Sequence, residues 1–208
     1  MVGQFFPVAL IALLGAMLPG PDFAIVTKNT IIHSRKSGYF TSIGVGTAIL
    51  VHMTYCLLGL AIVISESILL FNAIKFVGAT YLIYLGINSL ISKQHNKIVP
   101  SNCIKIKKDI SHLTAFKQGF LCNLLNPKAT LFFLSLFTVL IKPNTPITWQ
   151  MIYAVEIIFT ATTWFCLLTN ILSHSYIKRL LEKAEKYIAK ILGVSLICFG
   201  IGLAFIVK

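Results

Sequence analysis

The sequence predicts an all-α integral membrane protein: six transmembrane helices arranged as two inverted three-helix repeats, with the first and fourth helices broken. Three observations carry this reading. The chain of 208 residues is 57% hydrophobic and only 12% charged, with a mean hydropathy of +0.86, too apolar for a water-soluble globule. Its apolar residues fall in six windows, roughly 4 to 27, 39 to 64, 68 to 91, 115 to 141, 149 to 172 and 189 to 207, each of about the 20 residues a spanning helix needs. The first and fourth windows are each interrupted by proline beside glycine or asparagine with a charge directly after, as Pro19-Gly20-Pro21-Asp22 and Asn126-Pro127-Lys128. A β-barrel would show short alternating segments, whereas these runs are long and continuously apolar.

The first window carries no charge from Phe5 to Leu18. Proline then removes a backbone donor, glycine loosens the chain, and residues before proline leave the α region, so the helix must break there. The stretch from Phe5 to Gly20 rises roughly 24 Å, which sets the break past the midplane. Pro21 suits the first position of a new half-helix, with Asp22 in its first turn. With no basic leader and no cleavage site, the segment is expected to be retained as a helix. The second window holds Gly44, Gly46, Gly59 and a lone His52, and the third holds Lys75, Gly78, Tyr81, Tyr84 and Gly86; small residues let membrane helices approach closely. Residues 92–113 are polar and form an expected cytoplasmic linker between a first repeat at 1–91 and a second at 114–208. In the fourth window Asn126 can cap a half-helix that starts at Pro127, roughly 16 Å above Phe116 and near the midplane. The fifth carries one acid, Glu156, and Ser173 to Ile188 is expected to lie at the interface before the sixth.

Counting supports the repeat. Pro21 and Asp22 map onto Pro127 and Lys128, and Lys75-x-x-Gly78 maps onto Lys190-x-x-Gly193. Three helices per half is an odd number, so the second half enters from the opposite side. Charge agrees: the net +12 is concentrated after the first window (Lys28, Arg35, Lys36), after the third (Lys93 to Lys117) and after the fifth (Lys178 to Lys190). By the positive-inside rule these loops are cytoplasmic and both termini lie outside. That placement explains the positive charge without nucleic acid. The five cysteines lack metal-ligand spacing and are expected as free thiols.

The residues PGPDFAIVTKN (19–29), the Gly44/Gly46/VHxxxxxLGL stretch (44–60), KFVGATYLIYLG (75–86) and FKQGFLCNLLNPKATLFF (116–133) resemble the LysE/RhtB family of amino-acid exporters over nearly the whole chain. The resemblance implies a bacterial inner-membrane protein that exports amino acids or related metabolites at the expense of the proton gradient, with no cofactor. The residues themselves suggest a mechanism. Unwound backbone at membrane depth is tolerated only where protein or a water-filled cavity satisfies it, and half-helix N-termini present free N–H groups. A substrate carboxylate can dock there beside Gly20, Asn126 and Lys128, while Asp22 faces its ammonium. The competing reading pairs Asp22 with Lys128. Pro19, Pro21 and Pro127 shape the break. His52 and Glu156 are candidates for proton coupling, with a hydrogen-bonded packing role the favoured reading of His52.

Other function classes fit less well. A thiol redox conduit needs a cysteine in the first helix to match Cys122, and the matching position is Ala16. No nucleophile and base, phosphate loop or metal cluster suggests an enzyme. A passive small-solute channel and a structural membrane subunit stay open, and glycine-rich helices permit a homodimer in the bilayer.

Overall fold

The computed structural model describes residues 4–66, 68–91, 109–140 and 145–173, with 187, 190, 191, 193–198 and 201 nearer the C-terminus. Every element among them is helical: α1 Phe5–Met17, α2 Pro21–Ile32, α3 Arg35–Glu66, α4 Ile68–Ile91, α5 His112–Leu124, α6 Pro127–Leu140 and α7 Ile147–Leu172. Arg35–Gly59 within α3, and α7, are long and apolar enough to cross a membrane. The pairs α1 with α2 and α5 with α6 are bent by 64° and 62° at their breaks, and counting each as one broken span brings the number to four. The protein is thus an all-helical integral membrane protein. The linker at 92–108, the stretch 174–186 and most of the sixth window lie outside the described residues.

Local chemistry accounts for the breaks. Leu18, held out of the α region by Pro19, ends α1 with φ −60° and ψ 128°. Gly20 is fully extended, and Pro21 occupies the first turn of α2, where its missing N–H has no helical partner to lose. In the second break the side chain of Asn126 accepts from Lys128 N at 3.1 Å and so caps α6 behind Pro127. Ser111 caps α5 in the same way, accepting from Thr114 N at 3.1 Å.

Helix α3 is the centre of the packing, touching α2, α4, α5, α6 and α7. Its glycines set how closely α5 approaches. A Cβ on Gly44 would meet the backbone of Phe116 and Phe120, and one on Gly119 would meet the backbone of Thr41, so each helix lays main chain against main chain. Gly46 receives Thr162 of α7, whereas Gly59 faces nothing within 4 Å. The core gathers Ile49, Met53, Phe137, Tyr153, Ile157 and Leu168, while Leu58, Val77, Val155 and Phe159 point outward, as expected of a surface solvated by lipid. The end of α2, the starts of α3 and α5 and the end of α7 come together: Arg35 bonds Asn170, Ser37 donates to Asp109 at 2.7 Å, and Ser42 meets Thr169 at 3.3 Å. At the other end, Tyr153 of α7 donates to Gln4 at 3.2 Å.

Candidate functional site

The two breaks meet in one cavity, with an empty volume of about 490 Å³ including its open mouth. Gly20, Pro21 and Asp22 line it from the first break, and Asn123, Asn126 and Lys128 from the second. Ile49, Phe132, Phe133 and Phe165 form apolar walls. Phe132 lies against Gly15, where a Cβ would strike the ring.

Asp22 and Lys128 share the cavity but are not hydrogen-bonded to each other. Asp22 Oδ2 accepts from Asn123 Nδ2 at 3.0 Å and from Asn126 Nδ2 at 3.1 Å. Lys128 Nζ donates to the carbonyl of Pro19 at 3.1 Å. Each charge is matched to a helix end: the carboxylate lies in the first turn of α2, and the ammonium sits just beyond the C-terminus of α1, where opposite partial charges favour them. Asp22 Oδ1 is buried without a partner. Unsatisfied acceptors of this kind are uncommon in native proteins and mark strain, function or a missing partner.

Gly20, Asp22, Asn126 and Lys128 are therefore brought together, with Pro21 at the cavity wall, Pro19 supplying the carbonyl that holds Lys128, and Pro127 opening α6. His52 stands directly behind them. Its Nε2 lies 3.2 Å from the carbonyl of Asn123 and its Nδ1 meets the hydroxyl of Tyr55. A carbonyl only accepts, so Nε2 carries a proton, and both ring nitrogens have partners. Glu156 stands apart, on α7 outside the cavity lining, buried and with neither carboxylate oxygen partnered. Cys122 lies beside Asp22 at the position matching Ala16, which lines the cavity.

Asn123 escapes a reading based on proline and charge, yet it joins two of the residues named above. Its amide donates to Asp22 and its carbonyl faces His52. The signal available is its position three residues before Asn126, in the last turn of α5 ahead of the break.

The LysE type translocator family model matches residues 13–206. The chain is 34% identical over 197 residues to the uncharacterized membrane protein YrhP of Bacillus subtilis (strain 168), covering 92% of this chain and 93% of the relative. It is 28% identical over 203 residues to a threonine efflux protein of Escherichia coli (strain K12), covering 98% of each. An uncharacterized membrane protein of Haemophilus influenzae is 28% identical over 197 residues, or 94% of this chain and 93% of that one. No solved structure matches at a significant level. The chain belongs to the LysE type translocator family.

Proposed function

We propose that the protein exports amino acids or related small zwitterions from the cytoplasm across the bacterial plasma membrane, driven by proton antiport, with both termini on the outer side. The observation that carries this reading is the pair of opposite charges that share one cavity without a hydrogen bond between them. A zwitterion fills what is left over. Its ammonium donates to the unpartnered Asp22 Oδ1, and its carboxylate accepts from Lys128, whose ammonium has three donors and gives one to Pro19. Asn123 and Asn126 hold the carboxylate of Asp22 in place, so the grip is built before the solute arrives. Alternating access then follows from movement of the helices around the breaks, as in other transporters whose binding residues sit at broken helices. The threonine efflux relatives support amino acids as cargo. In this reading Asp22 also takes the returning proton, because the same oxygen cannot hold both ammonium and proton. His52 and Glu156 stay in the account as candidate coupling residues.

The test is flux in proteoliposomes loaded in turn with labelled amino acids, threonine first. The expected result is efflux of at least one of them that rises with an imposed proton gradient, stops with an uncoupler and is lost in Asp22→Asn while the variant remains in the membrane. Flux indifferent to the uncoupler would point to a passive channel, and full transport by Asp22→Asn would refute the role of that carboxylate.

A further inference from the structure

Between the break and the end where α2 meets α3, α5 and α7, the interior is unusually polar. Thr27, Asn29, Thr30, Ser37, Thr41 and Ser42 are all buried. Asn29 stands at their centre with none of its side chain exposed. Its Nδ2 donates to Thr41 Oγ1 of α3 at 2.8 Å and to Gln118 Oε1 of α5 at 2.9 Å. Thus one amide ties the half-helix α2 to the α3–α5 pair, which is itself locked by the glycine crossing. The opposite half-helix differs. Counting eight residues on from each proline, Asn29 corresponds to Ser135, and around it Thr27 and Thr30 correspond to Phe133 and Leu136.

Two atoms in this cluster are anomalous. Asn29 Oδ1 and Thr27 Oγ1 are buried with no partner. A permanent seal between membrane helices gains nothing from orphaned polar atoms, which lose their hydration and recover no hydrogen bond. A seal that opens to water regains it, because the orphans are solvated in the open state. Both atoms also lie on α2, the helix that leaves the break through extended Gly20 at a 64° bend.

We infer that α2 is the gate of a hydrophilic passage between the cavity and the loop end of the bundle, and that Asn29 is its latch. Opening swings α2 about Leu18–Gly20, breaks both Asn29 bonds, and wets Thr27 and Asn29 so that a zwitterion passes a polar wall on its way to Asp22. The proposal rests on the exporter reading for the identity of the solute, but the gate itself does not. Gly15, Phe132 and Phe133, on the apolar side of the cavity, form no such hydrogen-bonded closure.

Cys122 reports on the gate because it lies beside Asp22, behind the latch. The experiment uses full-length protein in which the other cysteines are replaced, in membrane vesicles of both orientations, and measures the rate at which a membrane-impermeant maleimide labels Cys122. From the side bearing the α2–α3 turn, Asn29→Ala should label at least about tenfold faster than the parent, since it removes both bonds and each shifts the equilibrium by roughly several-fold. Gln118→Ala, which removes one acceptor and leaves Asn29 in place, should give a smaller increase of the same sign. Asn29→Cys combined with Gln118→Cys, oxidised to a disulfide, should suppress labelling of Cys122 itself, read by peptide mapping, from that side. Equal labelling rates in the parent, Asn29→Ala and Gln118→Ala would overturn the latch, as would undiminished labelling in the oxidised pair. No solute is used, so loss of the transport reading would leave this result standing.

Discussion

Replacing Gly44 by alanine tests the central helix crossing with a change of one methyl group. A Cβ at that position would lie 3.0 Å from the carbonyl carbon of Phe116 and 2.9 Å from the nitrogen of Phe120, with the Phe116 oxygen closer still. Non-bonded carbons settle at about 3.5–4.0 Å, so α3 and α5 must part by about 0.5 Å or more, and no side-chain rotation helps because the obstacles are backbone. Overpacking of this kind costs about 1–3 kcal/mol. Alanine returns up to about 1 kcal/mol of helix propensity, leaving a net loss of up to about 2 kcal/mol, or a midpoint lowered by up to about 8 °C for a chain of this size. Gly59→Ala is the internal control: it sits on the same helix with nothing within 4 Å of the added methyl, so it should be neutral or slightly stabilising. The assay is thermal unfolding of detergent-purified protein followed by a thiol-reactive dye, which reads exposure of the buried Cys56 and the half-buried Cys122 and Cys166. Equal midpoints for the two alanine variants would show that α3 and α5 do not cross as closely as described.

Other expectations follow from the same geometry. Asn123→Ala removes one donor from Asp22 while leaving the main-chain carbonyl that faces His52; the apparent transport affinity should fall, and stability should fall by about the one hydrogen bond lost. Asn126→Ala removes a donor to Asp22 and also the cap of α6, so it should lower affinity in the same way and stability by about 1 kcal/mol more. Identical stability for the two variants would argue against the cap. Asp109, at the loop end of the bundle, accepts from Ser37, and that bond together with Ser34 holds its carboxyl below the ordinary 3.8. A depressed folded-state value stabilises the protein above the unfolded value, and the gain is lost as pH falls through the lower one. The parent should therefore lose more thermal stability than Asp109→Asn between about pH 5 and pH 3, and parallel losses would contradict this.

What the sequence makes legible here is chiefly what acts locally. Proline breaks a helix through its own ring and missing donor, so Pro19, Pro21 and Pro127 locate both bends without any knowledge of neighbours. Membrane residence is equally plain, because it depends on summed apolarity rather than on pairing. Glycine is half-legible: its abundance announces close helix contact, yet Gly44 carries a crossing and Gly59 touches nothing, and the difference depends on which helix lies opposite. The polar latch is hidden for the same reason, since Asn29 and Gln118 are 89 positions apart. The charges show the limit most clearly. From spacing alone Asp22 and Lys128 read as holding either a solute or each other, whereas the structure gives each its own partners: two asparagine amides for the carboxylate and a main-chain carbonyl for the ammonium. That arrangement needs Asn123, whose role appears only when α5 is laid beside α2.

The most direct test of the account is equilibrium binding to purified protein in detergent, comparing a zwitterionic amino acid with the amine and the carboxylic acid that each retain one of its charges, threonine with 1-amino-2-propanol and 3-hydroxybutyrate being the first set. If Asp22 and Lys128 grip opposite ends of the solute, the zwitterion identified by the flux panel binds while both single-charge analogues bind at least about tenfold more weakly. Asp22→Asn and Lys128→Met should then each abolish the preference for the zwitterion over one analogue. Undiminished zwitterion binding by both variants would place the solute elsewhere and leave the two charges as helix-end caps alone.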